Sequence, residues 1–273
     1  LLRVTHREKN QVRSMKITII GAGNVATHMT KALFDAGDSI LQVWSRTPEH
    51  AIDLAHKVGA EPLTDLGKIS PDADLYLFCV KDDALPDVIA RMPETGGIWV
   101  HTAGSLSMEL FAARKSDYGV IYPLQTFSRH RELSFDEIPL FVEGSTPANS
   151  AMLEQLAHTL SRNVYRLPGA KRKKLHLAAV FACNFVNHLY LLSSDIIAEE
   201  DIPFEVLLPL IAETAAKVKE MAPAAAQTGP AVRGDEKVMQ QHLDQIADSR
   251  LRDIYRQLSE SITEMSKRNQ LLT

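Results

Sequence analysis

The run Ile19-Ile20-Gly21-Ala22-Gly23-Asn24-Val25-Ala26 spaces two glycines and an alanine as G-x-G-x-x-A, between a β-branched stretch and a helix-patterned one. Gly21 permits a tight turn. Gly23 has no Cβ, so the backbone from Ala22 through Asn24 and Val25 can approach a pyrophosphate. Ala26 lets the following helix pack close to the strand. The free N–H groups at that helix start, with their partial positive charge, suit phosphates. This is dinucleotide-binding chemistry; the other reading is a structural glycine turn in a different doubly wound fold.

A carboxylate at the end of the second strand, about 20 residues past the turn, would select NAD by bonding the ribose 2′-hydroxyl. Here that place reads Ser45-Arg46-Thr47. A guanidinium attracts a 2′-phosphate and can meet it bidentately, where a carboxylate would repel it. Ser45 and Thr47 add hydroxyl donors. The stretch points to NADP(H). The bland alternative is a surface arginine, with Thr47-Pro48 opening the next helix.

In an open α/β sheet, ligands sit beyond the carboxyl ends of the strands. Val80, Lys81 and Asp82 end one strand and are expected to line the nucleotide. His101 and Ser105 flank the small-residue turn "HTAGS", which suits a carboxylate or carbonyl oxygen. The alternative for His101 is a histidine held within the sheet. "PLQTF" offers Gln125 and Thr126. Farther on, projection at 100° per residue puts Ala178, Phe181, Phe185, Leu189, Leu192 and Ile196 on one apolar face. His176, Val180, Cys183 and Asn187 lie opposite, with Asn184 at the edge. On this reading His176 is the proton donor and Asn184 the positioning group. The competing reading is a hydrogen-bonded polar seam between subunits. In "QTGPAVRGDE", Arg233 is a free cation and Asp235 can cap a helix; the loop either closes over the substrate or only joins two helices. No paired metal-ligand spacing, P-loop or G-x-S-x-G elbow occurs in the sequence.

The elements that must position these residues come in two kinds. "MKITIIG", "SILQVWS", "ADLYLFCV", "GGIWVHT", "YGVIYPLQTF" and "IPLFVEG" read as strands, and helix patterns follow the first three. That alternation predicts a parallel sheet with helices on both faces. From about Lys171 the chain reads as helix to the end, with breaks near residues 201–203 and across "AAAQTGPAVRGD". The expected fold is an α/β Rossmann N-terminal domain plus an all-α C-terminal domain. Its divisions are a disordered extension over residues 1–14, a nucleotide domain over 15–168, and a helical dimerisation and substrate domain over 169–273.

Length and composition agree. The 273 residues, 45% hydrophobic, suffice for two domains, and a net charge of −4 gives no bulk attraction to nucleic acid. Lys171-Arg172-Lys173-Lys174 reads as a solvated helix start. Cys79 and Cys183 lie in apolar runs, as free buried thiols of a reducing cytoplasm do. Residues 175–197 are apolar but interrupted by His176, Asn184, Asn187, His188 and Asp195, which predicts a buried helix and not a membrane span.

Five segments, "IIGAGNVATHM", "HTAGSLS", "YPLQTFS", "AAVFACN" and "TGPAVRGD", together resemble the Rossmann-like proteins carrying domain of unknown function 2520. That family is similar to pyrroline-5-carboxylate reductase, prephenate dehydrogenase and the β-hydroxyacid dehydrogenases. The resemblance implies an NADP-binding N-domain and a helical C-domain that commonly builds a dimer; it delivers no substrate. This chain departs from the family at Tyr122, where a histidine usually starts the strand, and at Ala103, where serine is common. The expected activity is hydride transfer to or from a small carbonyl, imine or hydroxy-acid substrate. The alternative is an NADP(H)-binding regulator without turnover.

Overall fold

The computed structural model describes residues 14–129 and 131–270, so the expected extension over residues 1–14 lies almost wholly outside them. The chain divides into two compact units, the first ending at Asn184 and the second beginning at Phe185. The predicted α/β-plus-helical architecture is present.

The first unit is an eight-stranded sheet. Its strands are β1 (Lys16–Ile20), β2 (Ser39–Trp44), β3 (Glu61–Leu63), β4 (Leu75–Phe78), β5 (Ile98–His101), β6 (Tyr118–Pro123), β7 (Leu140–Gly144) and β8 (Val164–Arg166), in spatial order β3-β2-β1-β4-β5-β6-β7-β8. The chain reverses between β1 and β4, so a crevice opens beyond their carboxyl ends. The expectation of an all-parallel sheet needs one correction: β7 runs antiparallel to β6. A parallel return needs a crossover element, and among the described residues no helix forms between these two strands.

Alternation along the strands builds two cores. Ile17, Ile19, Leu75, Leu77 and Val100 point to one face, under α1 (Asn24–Asp35), α2 (Pro48–Val58) and α4 (Pro147–Leu160). Ile20, Tyr76, Phe78 and Trp99 point to the other, against α3 (Leu85–Arg91) and Phe111. Successive strand residues face opposite ways, so nearly continuous apolar runs bury both sides. α2 starts with Pro48 and stops at Gly59, whose φ of 66° is left-handed.

One helical stretch, Gly169–Ala198, then runs as α5 (Gly169–Ala179), a π-helical segment (Val180–Phe185) and α6 (Val186–Ala198). The π turn corrects the projection at 100° per residue. It adds a residue to the turn, so residues before 180 and after 185 do not share one continuous face. By length and composition the stretch could cross a membrane, and none of its most apolar window is buried. The buried helix expected here is therefore not buried within a single chain. Leu177, Phe181, Phe185, Leu191 and Ile196 are all exposed. Cys79 is buried as expected, whereas Cys183 is half-exposed.

The second unit continues with α7 (Leu208–Glu220), α8 (Pro223–Ala226), α9 (Pro230–Arg233), α10 (Glu236–Gln245) and α11 (Ser249–Gln270). Among its described residues only Ala231 is buried. Ile202, Val206, Leu208, Leu210, Val218, Met221, Leu258 and Met265 are exposed. Amphipathic helices normally bury their apolar stripe; here Leu251, Ile254 and Ile262 of α11 are only half-buried, and much of the apolar surface of this unit stays open among the described residues.

Candidate functional site

The glycine turn caps β1 at the centre of the sheet. The Gly21 N–H donates to the Trp44 carbonyl at 2.8 Å. Gly21 has φ +120°, and a Cβ there would lie 2.5 Å from the Cys79 carbonyl oxygen. Only glycine fits. A Cβ on Gly23 would meet nothing within 4 Å, so space lies open over that residue. α1 has Gly23 as its N-cap, no side-chain cap and no acidic residue in its first turn. Its first N–H groups are available to an anion. The turn therefore fits a dinucleotide pyrophosphate: Ala22, Asn24 and Val25 supply main chain, while the Asn24 side chain donates to the Phe127 carbonyl at 2.9 Å.

Ser45, Arg46 and Thr47 follow β2 beside this turn. Arg46 and Thr47 are exposed, and Ser45 is buried. The Ser45 hydroxyl accepts from the Thr47 N–H at 3.2 Å. Thr47 is the N-cap of α2 but makes no side-chain cap bond. Arg46 and Thr47 are thus both held out toward solvent, and Arg46 is the cation of the three.

Beyond β4, β5 and β6 a second cluster forms. Val80 is half-buried, and Lys81 and Asp82 are exposed. The Ser105 hydroxyl donates to Asp82 Oδ2 in a very short contact. Tyr122 Oη and His176 Nδ1 are 3.1 Å apart, with the rings edge to face at 5.9 Å. Gly104 makes room for the pair: a Cβ there would sit 2.7 Å from Tyr122 Cζ and 2.8 Å from His176 Nδ1. Burial raises the Tyr122 phenol above its ordinary pKa, Arg172 opposes the shift and Asp82 adds to it. The phenol is therefore protonated at neutral pH, and it donates to Nδ1 or accepts from it according to the imidazole tautomer.

The structure brings His176, Ser105 and Asp82 together around "HTAGS". His101 lies within β5 with no exposed surface, its ring 5.7 Å from that of Phe111. Burial, then the positive charge of Arg172, pushes its imidazole down to about 3. It stays neutral at neutral pH and accepts the Ala103 N–H at 3.1 Å. Its place is in the sheet, the alternative already open for it. Asn184 is exposed, two turns beyond His176. Gln125 is exposed, and its side-chain oxygen accepts from the Thr126 N–H at 2.8 Å. Arg233 is not the free cation expected: it pairs with Asp235 at 3.9 Å. Asp235 stands at the N-cap of α10 without a side-chain cap bond.

The basic run at the start of α5 also needs correction. Lys171, Lys173 and Lys174 are exposed, but Arg172 has no exposed surface. Its guanidinium donates to Glu143 Oε2 at 2.5 Å and to the Leu106 carbonyl at 2.6 Å. The other Glu143 oxygen accepts from the Gly169 N–H at 2.9 Å. This pair ties β7, the "HTAGSLS" loop and the first turn of α5 together. Arg172 gave no sequence signal, since its neighbours are ordinary solvated lysines.

The fold and the glycine turn are those of a dinucleotide-binding domain, and the chain belongs among the NADP oxidoreductases by its likeness to known proteins. Residues 138–262 match the model of domain of unknown function 2520, and residues 16–101 match the NADP oxidoreductase, coenzyme F420-dependent, model. A Bacteroides fragilis protein provisionally named an NADP oxidoreductase is 47% identical, with a TM-score of 0.86 over 92% of this chain and 98% of that one. A reductive aminase from Aspergillus terreus, in complex with NADPH and ethyl levulinate, is 18% identical. Its TM-score is 0.71 over 95% of this chain and 100% of that one. A glutamyl-tRNA reductase from Pyrobaculum aerophilum is 35% identical over 83 residues, which are 29% of this chain; the chain spans 20% of that relative's length.

Removing one partner of a buried ion pair strands the other charge and typically costs about 3–5 kcal/mol. Arg172→Met should destabilise the protein by that amount in urea denaturation. Arg172→Met with Glu143→Leu should cost less than Arg172→Met alone. A single variant as stable as the parent would show that the pair holds nothing in place.

Proposed function

We propose that this NADP-dependent oxidoreductase acts on a small carbonyl, imine or hydroxy-acid substrate beyond the strand ends of β4, β5 and β6. The Tyr122–His176 pair handles the proton there. The observation that carries this reading is the 3.1 Å contact between the Tyr122 phenol and His176 Nδ1, beside Gly104. NADP(H), when bound, supplies or takes the hydride. Main chain at Ala22, Asn24 and Val25 faces the pyrophosphate, and Arg46 the 2′-phosphate. The phenol orients the imidazole through Nδ1, and the imidazole edge carrying Nε2 exchanges the proton. Ser105 and Asp82 orient the substrate. The charge of Asp82 reaches the phenol, and a carboxylate there favours a substrate that develops positive charge, so imines rank ahead of keto acids.

We also propose a homodimer built by the C-terminal helices, which expose many apolar side chains and bury only Ala231 among the described residues. Asn184, Arg233 and Asp235 stay in this proposal as residues of that half that could approach a substrate once the assembly forms.

Three measurements test these assignments. NADPH oxidation, followed by absorbance across a panel of imines and keto acids, should find a substrate. His176→Asn should then lower kcat about 100- to 10,000-fold while NADPH binding changes little. A panel with no turnover would favour an NADP(H)-binding regulator. Arg46→Asp should weaken NADPH binding by ~1.5–3 kcal/mol, or roughly 10- to 150-fold, and NADH binding much less; equal losses would remove the 2′-phosphate assignment. Sedimentation at micromolar concentration should show a dimer, and a monomer there would end that idea.

A further inference from the structure

The connection between β6 and β7 contains no helix among its described residues, and its early part lies along one side of α1. Besides the Asn24 bond to the Phe127 carbonyl, His28 Nε2 lies 2.9 Å from the Ser128 carbonyl oxygen. The His28 and Phe127 rings are 5.2 Å apart, and Phe127 stacks on Phe135 at 5.8 Å. Residues 127 and 128 are thus strapped to two successive turns of α1. The strap ends in a cation: Arg129 donates through one terminal nitrogen to the Ala22 carbonyl, inside the glycine turn. Its field also reaches α2. The Asp53 carboxyl sits below its ordinary pKa chiefly through its bond to Lys57, with a smaller contribution from Arg129.

No ion pair holds the guanidinium in that position. Among the described residues no carboxylate pairs with Arg129, and a lone carbonyl does not require a guanidinium. Arginine has five N–H donors in a planar fork suited to phosphate. The bond to Ala22 uses one of them. The head of α1 next to it is uncapped, has no acid in its first turn, and has open space over Gly23. Two independent sources of positive potential therefore converge on the open space over Gly23.

We propose that Arg129 is a phosphate clamp, closing over the pyrophosphate of the bound nucleotide from the side opposite the first turn of α1. The inference rests on the NADP(H) reading. It assigns a second arginine with a different duty from Arg46: Arg46 discriminates between the two cofactors, and Arg129 grips the diphosphate that both share.

The test is fluorescence titration of the full chain with NADPH and with NADH, for the parent, Arg129→Gln and Arg129→Lys. Arg129→Gln should weaken both cofactors by the same factor, roughly 10- to 150-fold, the range for a lost charge-assisted hydrogen bond. Arg129→Lys should recover part of the loss, since it keeps the charge but not the fork. The salt dependence of binding should be shallower in Arg129→Gln than in the parent. Unchanged affinity for both cofactors in Arg129→Gln overturns the clamp. So does a loss confined to NADPH, which would place the guanidinium at the 2′-phosphate. If Arg129→Gln fails to fold, Arg129→Lys decides: affinities and salt dependence identical to the parent for both cofactors overturn the clamp, and a shared loss supports it. A parent that binds neither cofactor overturns the nucleotide reading itself, and the clamp with it.

Discussion

A guanidinium with no exposure to water anchors the site. Desolvating a charge costs several kcal/mol, and only a close counter-charge with further hydrogen bonds offsets that cost. Arg172 has both, from Glu143 on β7 and from the Leu106 carbonyl after β5, while Glu143 also receives the first N–H of α5. Three segments distant in sequence meet at one charge pair. His176 stands four residues beyond Arg172, one helical turn along the same side, so the turn that buries the arginine also delivers the imidazole to Tyr122. The same charge helps keep His101 neutral inside β5. A buried ion pair is weak evidence for net stability, but it tolerates few alternative arrangements, and here it sets where the imidazole and the loop beyond β5 can sit.

What the sequence revealed depended on how local the determinants were. The glycine turn was legible because its constraint acts within a few residues: the positive φ of Gly21 and the openness over Gly23 both follow from the spacing. Six strands were legible as β-branched or aromatic runs. β3 and β8 were not, because three residues are too few to show a period. α4 has a clear start, with Thr146 capping the Asn149 N–H before Pro147, but it lies among strand signals that mask it. The reversal at β7 follows from an element that is missing between two strands, and a residue pattern does not report that directly.

The site residues divide along the same line. Ser105 and Asp82 could be placed at strand ends by topology alone. Arg172 could not, because its burial is decided by a glutamate 29 residues earlier in the chain. Arg129 is a sharper case, since its partner carbonyl lies 107 residues away in sequence. Conversely, His101 looked reactive from its position next to a small-residue turn. Its side chain points into the sheet, a fact set by the register of β5 against β4 and β6.

The π-helical segment between α5 and α6 has a consequence for how this chain can change length. A π turn closes around one residue more than an α turn. Deleting a single residue within Val180–Phe185 would let the turn close as ordinary α-helix, leaving no gap in the main-chain hydrogen bonding. Side chains beyond it would keep their direction around the helix axis, because the wide turn holds one extra residue over about the same rotation. The helix thus contains one spot where a single-codon deletion preserves both continuity and the side chains that α6 turns outward. Relatives should be aligned with a gap permitted at that spot, since forcing the register straight through it would pair residues that occupy different faces.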